Sequence, residues 1–552
     1  MNRIYKLILC TLVVTALVPG CDTDDLHDLN INPQAVDQID MNFLFTMAEL
    51  GIASNGSSGD NRYTDWRTNI GMASTAMQQL ATTGGISSTG NFYTDNAETA
   101  AAPFDFTYND QLKNISEILK QTGPGGFQEG QRLNMRQAAR ILKAFSFQRV
   151  TDFYGAVPYF EANKGIDDLT DPSDGILFPA YDPQSVIYAD MLKELEEATA
   201  ALSDTNPDEG FSGADFVYDG DIAKWKKFGY SLMLRLAMRV SNVDAAMANE
   251  YVAKAITGGV MEDNEDNFVI PMALSPSEWT NQNGISRAFA PGDGGNPNFL
   301  SRRLIDFLKG TDPNTVADDD PRLMILTSGI GDWVSDPTRP NNNGWNVIDD
   351  DPLNQEGLPN GHDNSMLQSI YGADFTQVET FSRINYRLLQ DDEPYMIMNH
   401  AEVEFLLAEA AERGIGGATN AAAHYDAGVR SAMQMYTIYG QGEQEVVDEL
   451  VVSDAEVDAY LATYPYGSRD PLEMIGEQMW VSKFLNWWEA WQDWKRTGFP
   501  ALTPIDYPGN VTGGQIPRRL MYPNTEVGAN PNFDQHDKNN YVARMWWDGG
   551  TE

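Results

Sequence analysis

The chain has 552 residues, 42% of them hydrophobic, and it carries 80 acidic against 37 basic side chains, for a formal net charge of −43. A negative charge of this size argues against nucleic acid and anionic lipid surfaces as partners, because both need a positive footprint on the protein. The apolar content and the 12 tryptophans argue against a disordered chain. We therefore expect a folded, acidic protein with a large core.

The N-terminus has the pattern of a secretory signal that ends in a lipoprotein cleavage box. Arg3 and Lys6 form a short basic region, and the apolar run 7–18 is too short to span a bilayer. Residues 17–21 (LVPGC) resemble the box, although its proline is unusual, and Cys21 would become the lipidated first residue. A signal peptide followed by an incidental cysteine remains the alternative.

This pattern predicts three parts: a signal peptide 1–20 that is removed, a lipidated Cys21 with an acidic tether over 21–40, and one domain over 41–552. Cys10 would leave with the signal, so a disulfide is not expected. No later stretch approaches the roughly 18 consecutive apolar residues of a membrane span, so the lipid alone would hold the protein at a membrane.

A pair of helices is predicted over 399–439. Asn399 and Glu402 have capping-box spacing, and an apolar stripe follows through Val403 and Leu407, with the glutamates on the opposite face. Gly414 ends this helix and Asn420 opens a second one, in which the small Gly428 permits a close approach of a neighbouring helix. Such a pair cannot bury its faces alone, so partner helices are expected elsewhere.

Further helices are predicted over 134–152, 183–202 as its antiparallel partner, 222–241 and 473–496. The last carries an aromatic stripe that we assign to the core: Trp480, Phe484, Trp487, Trp491 and Trp494. The third carries a basic cluster, which we interpret as internal neutralisation of carboxylates: Lys224, Lys226, Lys227, Arg235 and Arg239. Long irregular loops are expected over 82–104 and 264–395, with only 301–308 clearly helical, and such loops are often functional.

A metal site and an enzyme active site have weak support. Asp204 to Asp215 spaces oxygens as a calcium loop would, but Glu209 stands where the loop needs glycine, so a solvated acidic turn is the alternative. The five histidines are not spaced as a metal-ligand set, and no signature of a protease, hydrolase or nucleotide-binding loop occurs. We expect a binding protein without cofactor or metal, with a glycoside hydrolase as the remote alternative.

Seven segments resemble the SusD/RagB outer-membrane lipoproteins of Bacteroidetes, in the order that this family has them. They are 28–33 (DLNINP), 139–145 (ARILKAF), 151–159 (TDFYGAVPY), 221–228 (DIAKWKKF), 401–411 (AEVEFLLAEAA), 489–498 (EAWQDWKRTG) and 516–523 (IPRRLMYP).

The resemblance implies a mostly α fold in which four tetratricopeptide-like helix pairs carry long irregular loops and a few short strands. It also implies a lipid-anchored protein on the outer-membrane surface, whose partner is a SusC-like TonB-dependent barrel. The expected function is capture of a nutrient, most often an oligosaccharide or polysaccharide, for that transporter. A peptide ligand remains the alternative, and it would protect the concave helix face rather than the aromatic loops.

The ligand contacts of this family come from variable loops, so they must be argued from chemistry. Aromatic rings bury the C–H faces of sugars, and polar side chains bond the hydroxyl edges. Five loop aromatics have polar neighbours and are the predicted ligand-binding residues: Trp66, Tyr93, Trp279, Trp333 and Trp345.

The cleavage box generates a direct prediction about Cys21. Replacing it with alanine (Cys21→Ala) should prevent acylation, and intact-mass analysis should then show loss of the lipid mass relative to the wild type. Identical mass patterns for both proteins would contradict the lipoprotein assignment.

Overall fold

Amphipathic helices that pack in pairs make up most of the structure. The computed structural model describes residues 39–54, 62–85, 88–165, 175–207, 210–277, 279–289, 299–335, 343–440, 443–533 and 540–552. Residues 42–552 form one compact unit. Cys21, the predicted signal peptide and nearly all of the predicted tether lie outside the described residues.

The α-helices in this part of the chain are α1 (Met41–Leu50), α2 (Arg62–Thr64), α3 (Ser88–Phe92), α4 (Ala97–Phe106), α5 (Leu112–Thr122), α6 (Leu133–Tyr154), α7 (Gln184–Ala201), α8 (Phe211–Ala214), α9 (Ile222–Arg239), α10 (Ala245–Gly258), α11 (Gly284–Phe289), α12 (Arg302–Leu308), α13 (Leu323–Leu326), α14 (Asn364–Tyr371), α15 (His400–Arg413), α16 (Ala421–Gln434), α17 (Gln444–Glu449), α18 (Asp454–Thr463), α19 (Pro471–Ser482) and α20 (Trp487–Thr497). Two π-helices span Asp65–Ser74 and Thr107–Gln111.

The strands are β1 (Leu80–Ala81), β2 (Phe268–Ile270), β3 (Phe299–Leu300), β4 (Thr327–Ser335), β5 (Asn343–Asp349), β6 (Ser382–Ile384) and β7 (Tyr395–Met398). They form one five-stranded sheet in the order β1-β3-β6-β4-β5 and a two-stranded sheet of β2 and β7. Strands β2 to β7, with α11, α13 and α14, lie in or beside the segment 264–395, so the expectation of only one helix there is wrong.

Helix pairs organise the core of the described residues, among them α6 with α7, α9 with α10, α15 with α16, and α19 with α20. The first pair is antiparallel, because Asn134 at the start of α6 donates to the carbonyl of Ser203 beyond α7, and Gln184 at the start of α7 donates to the carbonyl of Thr151. The predicted mostly α fold, with paired helices and short strands, is confirmed.

The pair α15 and α16 follows the sequence pattern closely at its ends. The Asn399 side chain accepts a hydrogen bond from the backbone N–H of Glu402 at 2.8 Å, and Gly414 ends the helix in the left-handed conformation. The reciprocal half of the capping box is wrong, because the Glu402 carboxylate instead accepts from Arg235 at 2.6 and 2.7 Å. Glu402 and Glu409 are buried, so the expected polar face of α15 is only partly correct.

The predicted aromatic stripe lies in the core, but it does not run along one helix. All five rings are buried, as expected for a core element. The helix ends at Ser482, and Leu485 has a φ of 76°, so a second helix begins at Trp487. The buried Lys483 in this break bonds to Asp493 and lies 3.2 Å from Glu402, which gives the interruption a cause in the packing.

The basic cluster on α9 neutralises carboxylates inside the protein, as predicted for three of its members. Arg235 and Arg239 are each 1% exposed and pair with buried glutamates. Lys227 lies 2.8 Å from both Glu262 and Asp266.

The close approach predicted at Gly428 gives a stability test. A Cβ at this position would lie 2.6 Å from Cε1 of Phe405 on α15, so Gly428→Ala must push the helices apart. We expect a loss of roughly 1–3 kcal/mol in the free energy of unfolding, measured by urea denaturation. The matched control is Gly213→Ala, where no atom lies within 4 Å and the change should be neutral or stabilising. Equal stability of both variants would contradict close packing at Gly428.

Candidate functional site

Tyr63 and Trp66 form an aromatic pair where α2 meets the π-helix Asp65–Ser74. Their ring centroids are 5.8 Å apart with an interplanar angle of 17°, and both side chains are half-buried. The guanidinium groups of Arg62 and Arg67 lie 5.1 and 4.9 Å from the Tyr63 centroid. Arg67 also pairs with Glu98 at 3.0 Å. The result is a partly exposed aromatic platform with polar, charged edges, suited to the apolar face and hydroxyl rim of a sugar.

A buried carboxyl group fixes the start of this π-helix. Asp65 is 0% exposed, and its Oδ1 accepts hydrogen bonds from the Tyr395 hydroxyl at 2.7 Å and from Asn69 Nδ2 at 2.9 Å. Burial raises the pKa of Asp65 to about 6, although the two hydrogen bonds favour the ionised form. Asp65 therefore fixes the start of the helix that carries Trp66, but its ionised form lowers the stability of the fold because it is buried.

Trp279 is the most exposed of the predicted aromatics whose side chains are described. It is 47% exposed, and the guanidinium of Arg287 lies 4.8 Å from its ring. Arg287 is itself buried and donates to Gln282 Oε1 at 2.7 Å. Gln282, expected beside a ligand, is fully buried and positions this arginine instead.

Helix α11 brings the Trp66 and Trp279 segments together. Asn283 caps it by accepting from the backbone N–H of Ile285 at 2.9 Å, and Ser286 donates to the carbonyl of Leu389 at 2.9 Å. The same short helix packs against α2 and against the π-helix that carries Trp66. Tyr63, Trp66 and Trp279, whose segments meet at α11, are together called the aromatic surface.

Trp333 and Trp345 are directly opposite each other in the β4–β5 hairpin. Their side chains lie outside the described part of the structure. Their predicted polar neighbours, Asp332 and Asn346, are also cross-strand partners and are exposed, and Asp332 lies 3.2 Å from Arg383. The two tryptophans are therefore cross-strand neighbours at the edge of the sheet, and their contact with a ligand stays a prediction.

Tyr93 does not present its ring to solvent. It is 1% exposed, its carbonyl accepts from the N–H of Val511 at 2.9 Å, and burial raises the pKa of its hydroxyl. The expectation of an exposed loop with aromatic tips over 82–104 is wrong, because α3 and α4 form there and Phe92 stacks on Tyr507 at 4.1 Å. Tyr93 is therefore not part of the aromatic surface.

The acidic stretch 204–215 does not offer its last carboxylate to a cation. Asp215 is buried and accepts from the N–H groups of Val217, Tyr218 and Gly220 and from Trp225 Nε1 at 2.6 Å. Those bonds identify it as a turn-stabilising residue, and residues 208–209 lie outside the described part. Among the described residues, no group of three or more His, Cys, Asp or Glu side chains could hold a metal ion.

Comparison with protein families gives one match over most of the chain. The model of the SusD-like family described as "Starch-binding associating with outer membrane" matches residues 33–523. The chain belongs to this SusD-like family. Comparison with curated proteins gives no match.

Solved structures of SusD-like proteins have the same fold. A chitin-binding protein is 29% identical with a TM-score of 0.73, and the match covers 92% of this chain and 100% of that one. A Bacteroidetes SusD-like protein, AC2a, is 23% identical with a TM-score of 0.74 at the same coverage. A SusD homologue from Bacteroides uniformis is 24% identical with a TM-score of 0.66, again at the same coverage.

Two residues at the aromatic surface were missed in the sequence. Tyr63 lies three residues before Trp66, a helical spacing that would have signalled a shared face. Arg287 had no local signal, because its contact with Trp279 depends on how α11 closes the loop.

In the described part of this family member, every helix is too short or too polar to cross a membrane.

The raised pKa of Asp65 predicts a pH-dependent stability. The contribution of the protonated group is complete below its ordinary pKa near 4 and is lost as the pH rises through about 6. Asp65→Asn keeps an oxygen that accepts from Tyr395 and Asn69, so it should be more stable than the wild type at pH 8, by up to about 3 kcal/mol. The difference should shrink towards pH 4 in thermal melts.

The control for this experiment is Asp204→Asn, which changes an exposed carboxylate. Its stability relative to the wild type should stay nearly constant over the same pH range. A pH-independent difference for Asp65→Asn would contradict the buried-carboxyl account.

Proposed function

We propose that this SusD-like protein captures a glycan on its aromatic surface at the outside of the cell. The carrying observation is the pair of platforms at α11: Trp279, 47% exposed over Arg287, and the stacked Tyr63 and Trp66. Flat rings bury the C–H faces of sugars, and polar groups at their edges bond the hydroxyl groups. The half-buried Arg62 and Arg67 beside Tyr63 offer such groups, whereas the buried Arg287 supports the Trp279 ring. A structurally similar protein 29% identical to this chain is a chitin-binding protein, which supports a glycan ligand.

We further propose that the protein is lipid-anchored at the outer membrane through Cys21 and delivers its ligand to a SusC-like TonB-dependent barrel. The family description, which associates starch binding with the outer membrane, supports this location. The β4–β5 hairpin, with Trp333 opposite Trp345, would extend the glycan-binding surface. The protein acts by binding, without a catalytic step or a cofactor.

The aromatic surface predicts which substitutions weaken binding. The purified full-length protein in detergent is screened against starch, chitin oligosaccharides, other polysaccharides and peptides by affinity electrophoresis and calorimetry. For the glycan that binds, Trp66→Ala and Trp279→Ala should each cost roughly 1–3 kcal/mol, about 5- to 150-fold in Kd, since each removes an aromatic contact.

The matched control is Phe43→Ala, which removes another exposed aromatic ring, 72% exposed on α1. Its affinity should equal that of the wild type. Unchanged affinity in both tryptophan variants would move the site away from α11. Binding to peptides alone would contradict the glycan proposal while leaving the fold and the family intact.

A further inference from the structure

A large cleft lies between α5, α6 and the residues that follow α6. Its volume is about 950 Å³, and its wall includes Tyr108, Lys143, Tyr159, Phe160 and Lys164. None of the aromatic-surface residues lines it. The cleft therefore has to be explained separately from the surface at α11.

The carboxylates of this cleft already have hydrogen-bond donors from the protein. Asp190 Oδ2 accepts from the Tyr159 hydroxyl at 2.8 Å, and Glu117 Oε1 accepts from Gln121 Nε2 at 2.6 Å. Glu194 Oε2 accepts from Arg140 Nε at 2.8 Å, which holds the pKa of Glu194 below its usual range against the effect of burial.

In the described part of the chain, the ammonium group of Lys143 has no such partner. It is half-buried, and its Nζ lies 5.2 Å from the Tyr159 ring centroid and 5.9 Å from that of Phe147. Within the described residues, the side chain makes no hydrogen bond or ion pair. Burial lowers the pKa of Lys143, and Asp190 and Glu194 only partly offset this, so the charged form gains from an added anion.

An exposed aromatic ring, that of Phe160, also lines this cleft. Phe160 is 42% exposed and packs edge-on against Tyr159, with centroids 4.9 Å apart at 87°. Asp182 Oδ2 accepts from the N–H groups of Tyr159 at 3.0 Å and Phe160 at 2.9 Å, which fixes the backbone that carries both rings. The cleft is thus lined by an ammonium group and a flat apolar ring, each of which adjoins the ring of Tyr159.

We propose that this cleft is a second ligand site that takes a carboxylated sugar, with the carboxylate at Lys143 and a sugar ring on Phe160. A carboxylate supplies the hydrogen-bond acceptor that Lys143 lacks in the described structure, and a sugar ring covers the exposed face of Phe160. The anionic chemistry is argued from the cleft alone. The choice of a saccharide rests on the proposed glycan-binding function.

The test uses trigalacturonate and its methyl ester, which has the same rings without the charges, and calorimetry on the full-length protein in detergent. Trigalacturonate should bind the wild type, more weakly as salt is raised, and at least tenfold more tightly than the ester. Lys143→Met keeps the unbranched stem over the rings and removes the charge, so it should lose at least tenfold for the acid and nothing for the ester. Phe160→Ala should weaken both ligands, and it alters only an exposed side chain.

Lys193→Met is the matched control, since it removes an exposed lysine of α7, 3.8 Å from Glu197, that does not line the cleft. It should bind trigalacturonate as the wild type does. No binding of trigalacturonate to the wild type, or equal binding to Lys143→Met, would overturn the proposal. Neutral glycan binding on the same preparations separates this failure from failure of the aromatic surface.

Discussion

A buried network of charges joins the helix pairs, and the rest of the structure depends on it. Arg235 and Arg239 of α9 lie at its centre, and each is 1% exposed. Their carboxylate partners come from α6, α15 and α20: Asp152, Glu402, Glu489 and Asp493. Lys483, between α19 and α20, closes the network by pairing with Glu402 and Asp493. Four elements that are distant in sequence are thereby fixed to one another.

The energetic consequence follows from the cost of moving ions out of water. Burial alone would raise the pKa of Glu489, but Arg235 and Arg239 hold it well below its usual range. A buried pair of this kind gains little over an apolar replacement, whereas loss of one partner leaves an uncompensated charge that costs several kcal/mol. The network therefore specifies which helices meet more than it adds to stability.

Local sequence patterns predicted the helices well where the deciding contacts are local. The cap at Asn399, the end at Gly414 and the small Gly428 against Phe405 were all predictable. The break at 483–486 was not predictable, because the 4-3-4-3 aromatic spacing continues through it. Its cause is the pairing of Lys483, inside the break, with Glu402, which lies 81 positions earlier in the sequence. Helical periodicity cannot reveal a residue drawn out of register by a distant charge.

The candidate site was harder to predict because exposure is decided by tertiary contacts. Trp279 and Tyr93 have the same sequence character, an aromatic beside an asparagine in a polar stretch. Yet Trp279 rests exposed on Arg287, whereas Tyr93 is buried beneath the segment that contains Val511. The difference in exposure between the two residues therefore depends on which distant chain segments pack around them.

The excess of acidic side chains makes Lys143 informative, because it has no carboxylate partner among the described residues. With 80 acidic side chains for 37 basic ones, each lysine or arginine has about two carboxylates available to it. Several cations of the core use them, as Arg239 and Arg496 do with Glu489 and Glu409. Others, such as Lys495 and Arg519, donate to backbone carbonyls instead. Lys143 lies in a cleft with Asp190 and Glu194, but Tyr159 and Arg140 occupy these carboxylates instead. In so acidic a protein, a half-buried ammonium group left to face a cleft is a feature that packing alone does not require, and an anionic ligand is what its chemistry fits.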